Sequence, residues 1–343
     1  TKYFKHILDK FKNVQLIKNK KFHYKNKPED QYFFFKNMLD GIRFDNISAA
    51  LQKYTEDLIS SWVNKLSNKK FEICLAGGVG MNVKNNLILS KLKKVKNIYI
   101  PPSPDDSSQA MGACYYTFVH SNKKFIKPLP LKDAYLGYEI KNENIQSMLN
   151  KIDKSKYKVH SKNIHKKAAS ILFKGNIVGR CAGKAEFGAR ALGNRSILCD
   201  PSNLLVKEKL NNTVKNRDFW MPFAATIHSD YAKKYLNLTT QVENYEYMTL
   251  CSETTLLGRK KLKAAIHPND KTCRPQILQK NTNKQYEKLL TEFGKISGIH
   301  ALLNTSFNQH GYPIVNNEKT AFKIFSNTPM KALILNDVLI EKK

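Results

Sequence analysis

Fifteen residues, Gly183 to Ile197, constrain this chain more than any other stretch. They hold three glycines (Gly183, Gly188, Gly193), three cations (Lys184, Arg190, Arg195) and one acid, Glu186. A solvated charged helix is excluded, because each glycine would destabilise it by ~1 kcal/mol. The composition suits a loop that wraps a polyanion and is held in shape by its own glutamate. A purely structural Arg–Glu network is the competing reading.

Arginine usage points the same way. Of 58 basic residues only seven are Arg, and all but Arg43 lie from Arg180 to Arg274. In a chain that otherwise uses Lys, Arg is expected where a planar bidentate fork is needed, as in phosphate or carboxylate recognition. The net charge of +30 invites a nucleic-acid reading. The Lys are dispersed and accompanied by abundant Asn, so coding bias explains them more simply. No basic stripe interleaved with aromatics is present.

Five further segments are polar and compact. Gly77-Gly78-Val79-Gly80-Met81-Asn82 follows the apolar run Phe71–Leu75 and precedes a helical pattern, so it suits either nucleotide binding or a tight strand-to-helix turn. Asp105-Asp106-Ser107-Ser108 opens another helical pattern, as a cap or as a metal site. Lys215 and Arg217 add cations beside Phe219-Trp220-Met221-Pro222-Phe223. Arg274 closes the polar run from His267. Asn304, Thr305, Ser306 and Asn308 crowd the end of an apolar strand, where turn chemistry or ligand contact both fit.

The pattern along the chain is that of an α/β protein. Spacings of three and four predict a helix from Asn46 through Trp62, with Ser48 as its cap. A buried strand is expected at 71–75, a helix through Leu92, a strand at 98–100 and a small-residue helix at 107–118. This alternation suggests a largely parallel sheet. Pro128 and Pro130 mark the best boundary. Beyond them helices are expected at 144–152, 164–173, 286–293 and 319–325, and strands at 177–179, 301–303 and 332–335. Residues 1–40 show no clear period, and Phe33-Phe34-Phe35 suggests a docking surface.

Taken together and in order, these motifs resemble the O-carbamoyltransferases that include nodulation-factor and antibiotic carbamoyltransferases. The resemblance runs from about Asn46 to the end. Its most specific parts are Glu186-Phe187-Gly188, Arg190 to Ile197 with Asp200-Pro201, Met221 to Ala224, and Leu303 to Asn308 with Pro313-Ile314-Val315.

The resemblance implies the C-terminal part of an actin-like (ASKHA-type) ATP-binding domain over residues 1–130. A YrdC-like α/β carbamoyltransferase domain follows over 131–343. It implies condensation of ATP with carbamoyl phosphate to carbamoyl-adenylate, then transfer of the carbamoyl group to a hydroxyl of a sugar or natural product. It places Gly77, Gly78 and Asn82 at nucleotide and Asp106 on a divalent metal. Lys184, Arg190, Arg195 and Arg274 become the catalytic cations. Glu186, Arg217, Asn304, Ser306 and Asn308 complete the nucleotide and carbamoyl-phosphate pocket. Ala189, Tyr312 and Gly80-Met81 depart from the family's usual residues.

The family also carries a paired-His metal motif at i, i+4, and this chain has none. With Thr1 rather than Met first, a fragment or a second chain supplying those ligands is expected. A tRNA-modifying relative and a catalytically incomplete partner subunit are the alternative readings. No 18-residue apolar run or secretory leader is present. The six cysteines include no C-x-x-C pair, so free thiols in a reducing cytoplasm are expected.

Overall fold

The computed structural model describes residues 4–25, 27–121, 126–216, 218, 220–239 and 245–343. The chain divides into two compact units. The first comprises Thr1–Cys74, Lys84–Tyr99 and Gln241–Glu243, and the second Leu75–Val83, Ile100–Thr240 and Asn244–Lys343.

In the first unit, α1 (Lys5–Lys12) is followed by the antiparallel hairpin β1 (Gln15–Lys18) and β2 (Lys21–Tyr24). Then come α2 (Gln31–Leu39), α3 (Phe44–Leu66), β3 (Phe71–Cys74), α4 (Val83–Ser90) and β4 (Val95–Tyr99). Residues 5–39, which show no clear period in sequence, are therefore mostly ordered elements. Ile7, Leu8 and Phe11 of α1 pack with Ala50 and Tyr54 of α3 in a small core. Phe35 joins that core, so the Phe33–Phe35 run is partly internal, whereas Phe33 is exposed.

Two local expectations are corrected. Helix α3 starts at Phe44 with Arg43 at the N-cap, and Ser48 lies inside it. Asp45 Oδ1 accepts the Asn46 N–H at 3.0 Å and Arg43 Nε at 3.1 Å, which fixes the earlier start. Strand β3 is not buried on both faces but alternates half-buried and exposed; among the described residues it pairs with β4, in parallel.

In the second unit the 3-10 turn Gly78–Met81 is followed by α5 (Ser108–Ser121), of which no residue is buried, and α6 (Asn142–Leu149). The rest is β5 (Tyr157–His160), α7 (Ile164–Phe173), β6 (Val178–Cys181), β7 (Arg195–Cys199), α8 (Leu204–Leu210), β8 (Ala224–His228), α9 (Ala232–Tyr235), β9 (Leu236–Asn237), β10 (Ser252–Thr254), α10 (Leu256–Lys261), β11 (Thr272–Cys273), β12 (Pro275–Leu278), α11 (Lys284–Ser297), β13 (Ala301–Ser306), α12 (Glu318–Ser326), β14 (Ala332–Leu335) and β15 (Val338–Lys342).

Eight strands form one sheet in the order β12-β8-β13-β7-β6-β14-β15-β5. Only β12–β8 and β14–β6 are parallel, so this sheet is mixed. Its central strands read as continuous buried runs, Arg195–Cys199 and Ala332–Leu335 among them. Such runs are expected where both faces are covered. Helices α7 and α11 pack on each other and against it. Asn283 and Asn317 cap α11 and α12 through their side chains. No described helix is long and apolar enough to cross a membrane.

Candidate functional site

All geometry below lies in the second unit. The 183–195 segment is a loop whose shape follows from one carboxylate. Glu186 Oε1 accepts the backbone N–H groups of Leu192 (2.7 Å), Asn194 (2.7 Å) and Arg195 (3.1 Å). A charged acceptor makes such bonds stronger than neutral ones. The segment after Pro130 braces the loop from outside, with Phe187 N–H on Ala134 O (2.7 Å) and Ala185 N–H on Tyr138 O (2.9 Å). Gly193 is required. Its φ is +116°, and a Cβ there would lie 2.3 Å from the Tyr286 ring.

Register places the loop between two polar clusters. Ser196 of β7 pairs with Arg180 of β6 on one side and Ser306 of β13 on the other. Paired residues on adjacent strands share a face, so Arg180 and Ser306 flank Ser196 with Cα atoms roughly 10 Å apart. The Gly193 N–H donates to Ser196 Oγ at 3.0 Å, which seats the loop on that face.

On the Ser306 side, the Lys215 ammonium is 1% exposed. It donates to Asn308 Oδ1 (2.7 Å), Asn308 O (3.0 Å), Ser306 Oγ (3.2 Å) and the Ser306 carbonyl. Ser306 Oγ also donates to Asn308 Oδ1 at 2.7 Å. The predicted residues Ser306 and Asn308 are thus brought together, by a lysine whose role was not assigned from sequence. Its signal was the Lys215-Asn216-Arg217 run; Arg217 itself lies outside the described residues.

On the Arg180 side, a cavity of about 570 Å³ is lined by Arg180, Lys184 and Asn194, among others. Lys184 is exposed there, and its backbone carbonyl accepts Asn194 Nδ2 at 2.7 Å. Arg180 was also unassigned, although its place among the few arginines marks it.

Three expected ligand contacts are corrected by geometry. Arg195, expected to hold phosphate, is 1% exposed and its Nη atoms donate to the carbonyls of Tyr138, Ala182, Gly183, Asn194 and Asn316. It ties the loop to neighbouring segments. Glu186 is engaged as described above. Asn304 is buried, with Nδ2 on Ala191 O (3.1 Å), Thr226 Oγ1 (2.9 Å) and Gln276 Oε1 (3.4 Å). Gln276 Nε2 reaches Leu192 O at 2.7 Å, so this network supports the loop from below.

Arg190 is half-buried; burial lowers its pKa, and the charge of Asp105 opposes that. Arg274 is half-buried between β11 and β12. Gly77 (φ +99°) donates to Pro104 O at 2.5 Å. A 3-10 turn, Gly78–Met81, then separates these glycines from α4, so the helix does not begin at them as expected. Asn82 ends that turn. Asp105 serves a turn, accepting from Ser103 Oγ (2.8 Å) and Ser107 N–H (3.1 Å), whereas Asp106 is exposed. Among the described residues no three His, Cys, Asp or Glu side chains converge as metal ligands. Asp106 alone therefore does not make a complete metal site from the described residues, and no step is derived through a metal.

All six cysteines are free. Burial pushes the Cys181 and Cys273 thiols up to about 12, which removes them as nucleophiles.

The Carbamoyltransferase C-terminus family model matches residues 169–342, more than half of the chain. The Carbamoyltransferase N-terminus model matches residues 3–115. The chain belongs to the carbamoyltransferase family. An uncharacterized protein of Methanocaldococcus jannaschii is 32% identical over 306 residues, 87% of this chain and 49% of that protein. Nodulation protein NolO of Bradyrhizobium diazoefficiens is 30% identical over 304 residues, 87% of this chain and 55% of its own length. This carbamoyltransferase chain therefore spans about half the length of the curated relatives it matches. A crystal structure of full-length HypF in a phosphate- and nucleotide-bound form shows a TM-score of 0.37 at 15% identity, covering 55% of this chain and 22% of HypF.

Proposed function

We propose that this chain serves ATP-dependent carbamoyl transfer from carbamoyl phosphate to an acceptor hydroxyl, through carbamoyl-adenylate. The observation that carries the reading is the Glu186-held loop seated between Lys215 and Arg180 within the segment matched to the family's C-terminus. Atom balance sets the demands on the site. Water cleaves carbamoyl phosphate to carbamate and inorganic phosphate; a carbamate oxygen then attacks the α-phosphorus of ATP, the α–β phosphoanhydride bond breaks, and pyrophosphate departs. Each step develops negative charge on phosphoryl oxygens, which fixed cations stabilise.

In this reading Lys184, Arg190 and Arg274, with Arg217, hold those oxygens. Lys215 orients Ser306 and Asn308 and supplies positive charge beside them. Arg195 and Asn304 act as positioning residues. Gly77, Gly78 and Asn82 approach nucleotide, and Asp106 is the one metal ligand proposed from this chain, the others coming from elsewhere. The actin-like character of residues 1–130, the YrdC-like character of 131–343 and a cytoplasmic setting belong to the same proposal.

Mass spectrometry of a reaction containing ATP, magnesium and carbamoyl phosphate tests it. Carbamoyl-adenylate is expected, with strong loss in Arg190→Ala. A chain that binds ATP and never forms the adduct would instead fit an incomplete partner subunit.

A further inference from the structure

The two buried arginines differ in one respect that points to a ligand. Arg195 is surrounded by five carbonyl acceptors. Arg180, 2% exposed, makes both of its hydrogen bonds to described residues from Nη1, to Gly193 O (2.7 Å) and Asn194 Oδ1 (2.6 Å). Its Nε, like that of Arg195, is buried with no partner, so the difference lies in the fewer acceptors around the Nη atoms. Among the described residues no carboxylate forms an ion pair with it. The Tyr286 ring lies 5.3 Å away and adds only a cation–π contact.

Burial lowers the Arg180 pKa on balance, although the Glu186 carboxylate acts on the guanidinium without an ion-pair contact; buried charges are ordinarily paired directly. Arg180 lines the cavity of about 570 Å³, a size suited to a small-molecule ligand. Lys184, Asn194 and Asn283 add donors to the same wall. Asp133, Glu139 and Asp337 also line it, but Glu139 and Asp337 are exposed and Asp133 half-buried, where water screens them.

We infer that this cavity is an oxyanion subsite with Arg180 as its floor, taking a phosphoryl group of a substrate. Both carbamoyl phosphate and ATP carry that chemistry. The inference rests on the carbamoyl-transfer reading for the identity of the ligand, and on Arg180 with Lys184 for its charge.

Calorimetric titrations of the full chain with inorganic phosphate, carbamoyl phosphate and ATP, each separately, test it. Two variants are compared with the parent. Arg180→Lys removes the planar fork. Asn283→Asp keeps the oxygen that caps α11 and adds a negative charge to the wall. Thermal melts establish which variants fold, and Asn283→Asp keeps the test open if Arg180→Lys does not. The expected result is at least a tenfold loss of affinity for the ligand seated on Arg180, with the other substrate within twofold. The arm that moves identifies donor or nucleotide, and loss in both places the subsite where they overlap. Parental affinities in the folded variants overturn the subsite and leave the carbamoyl-transfer reading standing. Phosphate binding that depends on Arg180, without binding of either substrate, keeps the subsite and sinks that reading. A parent chain that binds none of the three overturns the subsite.

Discussion

The Lys215 ammonium donates to Asn308 Oδ1 at 2.7 Å, joining residues 93 positions apart in the chain. The amine sits at the end of the π turn Asn211–Lys215, after α8, and the amide lies just beyond β13. A 1% exposed ammonium held by acceptors from a single strand end supplies directed positive charge at the site.

Lys215→Met therefore removes that charge while keeping most of the side-chain volume. A loss of roughly 10²–10³-fold in kcat for pyrophosphate release is expected, the size typical of losing one preorganised electrostatic group. Lys215→Arg should recover little, because a planar fork does not fit acceptors arranged around a point. Steady-state rates checked beside a melting curve decide this. A Lys215→Met variant with parental kcat would remove Lys215 from the site.

Glu186→Ala leaves three backbone donors without their acceptor. Destabilisation of about 3 kcal/mol is expected, and Glu186→Gln, which keeps an oxygen, should cost about 1 kcal/mol. Urea unfolding of the two variants measures the difference. Equal effects would show that the carboxylate charge does not hold the loop.

How much of this was legible from residues depends on what each segment must satisfy. Helices 164–173 and 284–297 were readable because their apolar residues recur at three and four, with buried Leu289, Leu290 and Phe293 on one face of the second. Strands β7, β8 and β12 escaped notice because Arg195, Ser196, Thr226 and Gln276 interrupt their apolar pattern. Those side chains are buried through hydrogen bonds that only the assembled sheet provides. The loop at 183–195 was legible from its glycines and glutamate. Arg195 was misread for the same reason that it is prominent. A cation in a polyanion-like motif looks like a ligand group until five carbonyls are found around it.

Gly193→Ala should be among the most damaging small substitutions. The new Cβ would meet Tyr286 at 2.3 Å in a backbone conformation that L side chains rarely adopt. A loss of about 2–4 kcal/mol is expected. Tyr286→Ala in the same chain should relieve the clash and leave the backbone strain, so stability returns only in part.

The His165 ring predicts a pH dependence. Burial, with Arg180 and Lys288 nearby, lowers its pKa from 6.5 to about 4. The folded state therefore holds it neutral while the unfolded chain binds a proton below about 6.5. The stabilisation is fully present above pH 6.5 and is lost as pH falls from there toward 4. After allowance for solvent screening, the loss is on the order of 2 kcal/mol. His165→Phe should flatten the melting temperature across that window relative to the parent chain.

The most direct test of carbamoyl activation is pyrophosphate release from ATP by the purified chain, with and without carbamoyl phosphate. The account predicts release that requires carbamoyl phosphate and collapses in Lys215→Met. Release indifferent to carbamoyl phosphate, or none from a chain that demonstrably binds ATP and carbamoyl phosphate, would contradict it.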